Sequence, residues 1–360
     1  MGSSKAAISI HRFRELVYRR YTKDTGQYSR GTILLPGEEG EEKIIPGFPH
    51  VPRTYRLYPG VHRHFPGAEF YVEEKIDGYN VRIASHRGQL LAFSKGGFVC
   101  PFTTEWTSIW AEQTGLKRFF SEHPGHVICG EVIGDNPYNN QRDELVGPGL
   151  HLRVFDLMDD RSGFLPVEER YALCDTYDLP GVPRLGIYSE ARLDELAALL
   201  RELNAREREG VVLKRGDSSA PLKYVTPASE LEDIVDNLRI AFDVGFAFFL
   251  HRILRSVAAA RELGLPEDEF SYDLGEAFVE GYEPIEDPEE VTDHYRIYVK
   301  ERATWEALKE RIGSAVEVRT DEIEEEELEG RPMLRVEFDR IYRRSTRRFR
   351  RIARGRPHVD

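Results

Sequence analysis

The feature that most constrains this chain is an ordered set of three short charged segments, each next to a strand-like run. The first contains the pattern Lys-x-Asp-Gly around Lys75, the second the pattern Glu-Gly-x-Val-x-Lys from Glu209, and the third surrounds Lys223. At roughly 7% per specified residue, the first pattern arises by chance in about one chain in ten of this length, and the second in about one in a hundred. Only their joint occurrence in this order therefore constrains the fold and the chemistry.

Length, composition and cysteine spacing indicate a globular protein of a reduced compartment. The 360 residues are 40% hydrophobic and 31% charged, which leaves room for a full core and more than one domain. No run approaches the roughly 18 apolar residues of a membrane-spanning helix, and the first residues lack the apolar core of a secretion signal. The three cysteines lie far apart and suggest neither a disulfide framework nor a zinc module. We therefore expect a cytoplasmic protein without a membrane partner.

The charge of the chain is unevenly distributed. The net charge of -13 argues against nonspecific coating with nucleic acid by bulk electrostatics. Residues 321–329 carry seven acidic side chains, whereas residues 340–356 contain nine arginines interleaved with Tyr342 and Phe349. This basic tail could follow a phosphate backbone, or it could be a solvated helix face that offsets the acidic run. Charge alone does not decide between the two.

Four regions follow one another and together predict an α+β fold. Residues 1–66 form an accessory module, with a helical pattern at residues 12–21 and extended segments at residues 31–35 and 55–58. Residues 67–226 form the catalytic domain, residues 227–290 a helical region, and residues 291–360 a small α+β module with the basic tail. In the catalytic domain the strand-like runs cover residues 70–73, 80–85, 90–94, 126–129, 152–155 and 210–213. Helices are predicted there at residues 105–121, 167–177 and 189–205.

The helical region has more apolar surface than one helix stripe can bury. Ser229 and Glu232 fit a capping box, and the apolar side chains that follow keep a spacing of three and four residues. Further apolar residues, including Phe246 and Phe249, continue the pattern as far as Val257. Such a helix packs either inside its own chain or against a second subunit, and we expect a homodimer.

The ordered segments resemble the nucleotidyltransferase motifs of the ATP-dependent ligase and mRNA-capping superfamily, in which a lysine takes a nucleoside monophosphate from a nucleotide. Residues 73–82, followed by residues 93–103, closely resemble the archaeal-type homodimeric ATP-dependent RNA ligases. The resemblance spans most of the chain and is most specific over residues 70–226. It implies a nucleotidyltransferase domain with ATP-grasp-like antiparallel sheets, with ATP and Mg²⁺ or Mn²⁺ as cofactors. It also implies single-stranded RNA with a 5′-phosphate end as the partner.

The resemblance makes Lys75 the candidate nucleophile, and an amine must lose its proton before it can attack phosphorus. With a reference pKa of about 10.4, lysine is neutral in only about one molecule in a few thousand near pH 7, a handicap of roughly 4–5 kcal/mol. Nearby cations lower that pKa, and the predicted neighbours are Lys95, Lys214, Lys223 and a divalent metal on the nucleotide phosphates. The same charges would bind the triphosphate and stabilise the departing pyrophosphate. The predicted catalytic residues are therefore Lys75, Lys214 and Lys223.

The other predicted site residues contact the nucleotide or its metal. Glu131 and Glu209 would hold a divalent cation, which needs only one or two protein carboxylates. Phe155 matches the family position whose ring stacks on the purine, and Glu73 matches the position that accepts a hydrogen bond from the adenine amino group. The predicted nucleotide contacts are Glu73, Lys75, Asn80, Arg82, Lys95, Glu131, Phe155, Glu209, Lys214 and Lys223.

RNA ligation, including circularisation, is the function that the resemblance implies. DNA ligases and capping enzymes continue into an OB-fold, whereas residues 231–257 here are predicted to be helical. Two positions depart from the RNA ligase pattern, because Lys95 stands where arginine is common and Lys223 is not part of a lysine pair. The alternatives are a DNA-joining or DNA-adenylating relative and a non-catalytic dimeric RNA-binding module. The intact Lys75 and Glu209 argue against the second.

Overall fold

The computed structural model describes residues 7–37, 40–138, 146–159, 163–286, 288–314 and 316–356. Across these ranges antiparallel sheets alternate with helices, which is the predicted α+β class. The strands are β1 (Ile8–Phe13), β2 (Leu16–Tyr21), β3 (Ile33–Pro36), β4 (Glu42–Ile45), β5 (Phe70–Lys75), β6 (Tyr79–His86), β7 (Gln89–Ser94), β8 (His126–Gly134), β9 (Leu150–Asp159), β10 (Gly163–Phe164), β11 (Arg184–Tyr188), β12 (Gly210–Lys214), β13 (Leu222–Val225), β14 (Thr292–Val299), β15 (Glu317–Leu328) and β16 (Arg331–Ile341). The helices are α1 (Leu57–His64), α2 (Pro101–Gln113), α3 (Leu116–Glu122), α4 (Val167–Thr176), α5 (Leu193–Ala205), α6 (Pro227–Leu238), α7 (Ala241–Val244), α8 (Phe246–Leu263), α9 (Glu267–Tyr282), α10 (Arg302–Gly313) and α11 (Arg343–Ala353).

Two antiparallel sheets build the catalytic region. One has the strand order β10-β9-β8-β6-β7 and the other the order β11-β5-β12-β13. Strands β5 and β6 are consecutive in sequence but belong to different sheets, so the chain crosses between the sheets at residues 76–78. Gly78 is required at this crossing because a Cβ atom there would collide with the carbonyl oxygen of Val132. The Lys-x-Asp-Gly pattern therefore marks the point where the two sheets are joined.

Most predicted elements of the catalytic region are confirmed. Every predicted strand-like run between residues 70 and 213 lies within a strand, and the helix predicted at residues 167–177 is α4. The helix predicted at residues 105–121 is instead two helices, because Thr114 takes an extended conformation that ends α2. The helix predicted at residues 189–205 begins as a short 3₁₀ turn and continues as α5.

The N-terminal region differs from the sequence prediction in two places. The segment at residues 12–21 is not helical, because β1 and β2 pair as a hairpin with Arg14 at positive φ in the turn. Burial alternates along β2, where Tyr18 is buried between exposed neighbours, and this is the period of a strand. The segment predicted to be extended at residues 55–58 leads into α1, whereas the segment at residues 31–35 leads into β3 as expected.

The helical region is interrupted, and its first cap lies earlier than predicted. Helix α6 begins after Thr226, whose hydroxyl accepts a hydrogen bond from the backbone N–H of Ser229, with Pro227 in the first turn. The predicted cap at Ser229 is therefore wrong. Gly245, with a φ of 89°, separates α7 from α8, so residues 231–257 do not form one continuous helix. Helix α6 packs against α8 and α9 around a core that includes Phe249.

The C-terminal sheet, with the strand order β14-β16-β15, shares a core with the catalytic region. Trp106 of α2 donates a hydrogen bond over 2.9 Å to the backbone oxygen of Tyr298 in β14. One hydrophobic cluster joins the five-stranded sheet to this sheet and to α10, whereas Phe349 of α11 packs against the helical region. The predicted domain boundaries stay predictions. No helix in the described ranges is long and apolar enough to cross a membrane.

Candidate active site

Lys75 lies where the two catalytic sheets meet. It is the last residue of β5, which runs between β11 and β12 in its sheet. The backbone of Lys75 pairs with Gly210 of β12, and this pairing brings Glu209 beside the lysine. Gly210 has a φ of 143°, and a Cβ atom there would collide with the carbonyl oxygen of Tyr224. Strand pairing thus joins two of the segments that the sequence pattern singled out.

A cavity of about 160 Å³ opens beside Lys75, and we call it the inter-sheet cavity. Part of its wall is apolar and includes Phe48, Val182 and Val212. The predicted site residues that line it are Lys75, Asn80, Lys95, Glu131, Phe155, Lys214 and Lys223. An apolar slot with a few convergent polar groups is the usual form of a small-molecule site.

Two carboxylates act on the amine of Lys75. Lys75 Nζ donates a hydrogen bond to Glu209 Oε1. Burial lowers the pKa of Lys75, but the negative charges of Glu209 and Glu131 outweigh burial and raise that pKa overall. The predicted lowering of this pKa by Lys95, Lys214 and Lys223 is therefore wrong for the chain's own side chains, whereas the predicted effect of a divalent metal stays a prediction. Lys75 is held as an ammonium ion until this balance of charge changes.

The same two carboxylates are suited to hold a divalent cation. Burial raises the pKa of Glu131 to about 8 and that of Glu209 to about 7. Glu209 Oε2 is also buried and accepts no hydrogen bond from the described residues. A buried carboxylate oxygen without a hydrogen bond is costly unless it has another partner. Mg²⁺ and Mn²⁺ prefer oxygen ligands of this kind. The residues present therefore fit the predicted metal.

Positive charge converges on the other side of the inter-sheet cavity. Burial lowers the pKa of Lys223 to about 8, and the charges of Lys75, Arg53 and Lys95 add to this effect. Arg53 reaches this place through a parallel bridge between its backbone and that of Lys223. Sequence reasoning missed Arg53, since no local pattern connects it with the motifs. The group of cations suits a polyphosphate better than any neutral ligand.

Lys214 belongs to a buried network of charges. Its Nζ donates hydrogen bonds to the backbone oxygen of Phe155 over 2.7 Å and to Asp156 Oδ1 over 2.9 Å, and lies 3.0 Å from Glu73 Oε2. Glu73 Oε1 accepts a hydrogen bond from the fully buried Arg170. Glu73 consequently faces two cations of its own chain and does not line the inter-sheet cavity. Its predicted contact with adenine stays a prediction, and Arg170 and Asp156 were not found from the sequence.

Arg82 likewise lies outside the inter-sheet cavity. Its guanidinium is fully buried and donates to the carbonyl oxygens of Gly31 over 2.9 Å, of Ser94 over 3.0 Å and of Pro46. Burial lowers its pKa to about 10. Through these hydrogen bonds, Arg82 therefore links the N-terminal region to the loop that carries Lys95. A nucleotide contact by Arg82 also stays a prediction.

Phe155 and Asn80 face the cavity with groups that a nucleotide could use. The ring of Phe155 meets that of Phe48 edge to face, with 5.3 Å between the ring centroids. Phe48 comes from the N-terminal region, and only its packing reveals it as part of the site. Asn80 Oδ1 is buried and accepts no hydrogen bond from the described part of the chain. An aromatic wall and a free acceptor are thus available to a bound base or sugar.

A lysine at the junction of two antiparallel sheets, with buried carboxylates, clustered cations and a base-sized apolar slot, is the arrangement expected of a nucleotidyltransferase fold. The family model for RNA ligase matches residues 68–225. A solved archaeal ATP-dependent RNA ligase, form 1, is 34% identical, with a TM-score of 0.86 over 98% of this chain and 94% of its own. The chain belongs to the family of ATP-dependent RNA ligases.

Two further relatives are similar over most of their length. A solved chain from Aquifex aeolicus, provisionally described as an ATP-dependent DNA ligase, is 31% identical, with a TM-score of 0.88 over 98% of this chain and 97% of its own. An uncharacterised protein of Methanocaldococcus jannaschii is 30% identical over 292 residues, which are 77% of this chain and 71% of that protein. The likeness therefore extends beyond the catalytic region into the flanking regions.

Proposed function

We propose that this chain joins RNA ends through a covalent lysyl-AMP intermediate on Lys75. The observation that carries the proposal is the position of its amine, which lines the inter-sheet cavity and is hydrogen-bonded to Glu209. Buried charges of this kind contribute little to stability, since apolar residues of similar size often serve as well. A non-catalytic RNA-binding module would have no use for a buried lysine between two carboxylates, whereas groups with shifted pKa values cluster at catalytic sites.

The proposed reaction has three displacements at phosphorus. The neutral amine of Lys75 attacks the α-phosphorus of ATP, the N–P bond forms, and pyrophosphate leaves. An oxygen of the RNA 5′-phosphate then attacks the same phosphorus, so that AMP passes to the RNA and the lysine amine is released. In the last displacement an RNA 3′-hydroxyl attacks the activated 5′-phosphorus, the phosphodiester bond forms, and AMP leaves. Lys95, Lys214 and Lys223 offset the negative charge of the phosphates throughout.

The ion pair between Lys75 and Glu209 must separate before the first displacement, because an ammonium ion has no lone pair. We propose that Glu131 and Glu209 hold Mg²⁺ or Mn²⁺. When bound, the cation would offset both carboxylates, lower the pKa of Lys75 and stabilise charge on the triphosphate.

The experiment that tests RNA joining compares two substrates of one sequence. Single-stranded RNA and DNA, each with a 5′-phosphate and a 3′-hydroxyl, are incubated with ATP and Mg²⁺ or Mn²⁺, with a chelator as the control. We expect the RNA to be sealed, and sealing within one strand would yield circles that resist exonuclease. Sealing of DNA alone would instead support the DNA-joining alternative. A cytoplasmic location stays a prediction from the sequence.

ATP is expected to label the chain far better than GTP. Guanine carries a carbonyl where adenine carries its amino group. A buried acceptor that hydrogen-bonds to the adenine amino group would therefore stay unpaired with GTP. The cost is about 1–3 kcal/mol, which is a factor of about 5–150 in labelling. Parallel labelling with α-labelled ATP and GTP measures the ratio. The Glu73→Gln variant shows whether Glu73 makes this hydrogen bond, since the ratio of ATP labelling to GTP labelling falls only if Glu73 itself contacts the base. Equal labelling by both nucleotides in the wild type would remove adenine selectivity altogether.

We propose that α8 forms the interface of a homodimer. Phe246, Leu250 and Leu254 are spaced by one helical turn each, and their exposed fractions are 74%, 56% and 48%. Phe249 is only 7% exposed and packs in the core of the helical region, so it is unsuitable for testing the interface. The exposed stripe formed by the other three side chains is a typical contact surface.

Light scattering at micromolar concentration is expected to give about twice the mass of the 41.5 kDa chain. The variant Leu250→Glu should be a monomer that still forms lysyl-AMP, because the motif residues lie outside α8. Tyr272→Glu, on an exposed face of α9, is the matched control and should stay dimeric. A wild-type mass of one chain would rule out the dimer.

A further inference from the structure

A second cavity, of about 510 Å³, lies between the N-terminal hairpin and α10, and we call it the hairpin groove. His11, Arg12 and Arg14 of the hairpin line one side, Ala307 and Arg311 of α10 line the other, and Phe98 lies on the same lining. None of the predicted site residues belongs to this lining. The groove is thus a feature that the nucleotide chemistry does not use.

Positive charge dominates the hairpin groove although the whole chain is acidic. Arg12 and Arg14 are exposed on the hairpin, and the lining contains a single acidic side chain, Glu310. Burial lowers the pKa of His11, and the charges of Arg20 and Arg311 lower it further. The neutral form of His11 is therefore favoured, first by burial and then by the two neighbouring positive charges. A local cation cluster in a chain of net charge -13 is a binding surface for an anion.

An aromatic ring lies at the centre of this charge. The guanidinium groups of Arg20 and Arg311 lie 3.8 Å and 4.6 Å from the ring centroid of Phe98. Arg20 donates a hydrogen bond over 2.7 Å to the backbone oxygen of Gly96, and Arg311 donates one over 2.5 Å to that of Val99. These bonds fix both arginines before any ligand arrives. Cations interleaved with an aromatic ring are typical of surfaces that bind single-stranded nucleic acid.

The hairpin groove is connected to the inter-sheet cavity by one short loop. Lys95 lines the inter-sheet cavity, and Phe98 lines the groove. The loop between them is closed by hydrogen bonds of 2.8 Å from Gly97 N to Ser94 O and from Ser94 N to Phe98 O. Three residues span at most about 10 Å, so the two sites lie within the reach of one polynucleotide strand.

We propose that the hairpin groove binds the phosphodiester backbone of the RNA strand that is being joined, a few nucleotides from its reacting end. Arginine is the side chain that matches phosphate oxygens with paired N–H donors. The ring of Phe98 holds Arg20 and Arg311 beside them by cation–π contact. The inference rests on the proposed joining of RNA, and it adds where the strand runs after it leaves the inter-sheet cavity.

The test is the double variant Arg12→Glu/Arg14→Glu. The matched control, Arg63→Glu/Lys117→Glu, makes the same change of charge at exposed cations of α1 and α3. Binding of a fluorescent 5′-phosphorylated RNA with a blocked 3′ end is measured by anisotropy at several salt concentrations. We expect the dissociation constant of the groove variant to rise about tenfold or more, and the slope of log affinity against log salt to fall by about 1.4 for two lost phosphate contacts.

Two readouts separate this inference from the proposed function. Labelling by ATP without RNA should be unchanged in the groove variant, because neither arginine lines the inter-sheet cavity. The loss of affinity should vanish with an RNA too short to reach the groove. Equal RNA binding by both double variants, or an equal loss on short and long RNA, would overturn the groove assignment while leaving RNA joining intact. If the glutamate variant fails to fold, Arg12→Gln/Arg14→Gln decides the question by the same measurements.

Discussion

Replacing Lys75 by arginine is expected to abolish covalent labelling by α-labelled ATP. Arginine keeps the positive charge and can keep the hydrogen bond to Glu209. Its guanidinium does not lose its proton in proteins, however, so it presents no amine to the α-phosphorus. Denaturing electrophoresis after incubation with labelled ATP and Mg²⁺ measures the effect, and Lys75→Ala should give the same empty lane.

A matched control separates loss of the nucleophile from loss of charge in the cavity. Lys95→Arg changes another cavity lysine in the same way, and it should retain labelling because its role is electrostatic. A phosphoramidate bond is labile in acid, so the label should also disappear on acid treatment. Labelling that survives in Lys75→Arg would move the nucleophile to another residue and contradict the proposed function.

Replacing Arg170 by alanine is expected to destabilise the fold by about 3–5 kcal/mol. The Arg170 guanidinium is buried against Glu73, and the charges of Glu73 and Asp156 raise its pKa more than burial lowers it. Without Arg170, Lys214 alone would balance two buried carboxylates, which leaves a negative charge uncompensated. Equilibrium unfolding in urea measures the loss.

Arg184→Ala is the control for this measurement. Arg184 and Arg170 both lie over the ring of Tyr171, at 4.1 Å and 4.7 Å from its centroid, but Arg184 is exposed and pairs with the exposed Asp175. Its removal should change stability little, because exposed ion pairs are weak. Equal losses in the two variants would mean that the ring contact, and not the buried charge network, stabilises this part of the fold.

The candidate site residues could be brought together from the sequence because they lie in or beside strands in short recognisable patterns. Lys75 ends β5, Glu131 lies within β8 and Glu209 immediately precedes β12, and strand pairing then places them together without a long loop. The direction of the pKa shift of Lys75 could not be predicted in this way. It depends on which charges come within a few ångströms of one another, and a linear pattern does not contain that distance.

Other parts of the site depend on packing between distant segments. Phe48 and Arg53 reach the site from the N-terminal region, and neither stands in a pattern that marks a ligand. The helix prediction for residues 12–21 failed because a short amphipathic segment can fit the period of a helix or that of a strand. Pairing with a neighbouring strand decides between them. The cap at Thr226 was missed because Ser229 offers an equally good local signal.

The contacts of Arg82 show that the catalytic region depends on the N-terminal region for part of its hydrogen bonding. Two of its acceptors, at Gly31 and Pro46, belong to the N-terminal region. A fragment cut at residue 67 would therefore lose two acceptors of the Arg82 guanidinium, and it would also lose the ring of Phe48 from the cavity wall. A fragment that keeps these contacts must include the N-terminal sheet, even though the recognisable motifs begin only at β5.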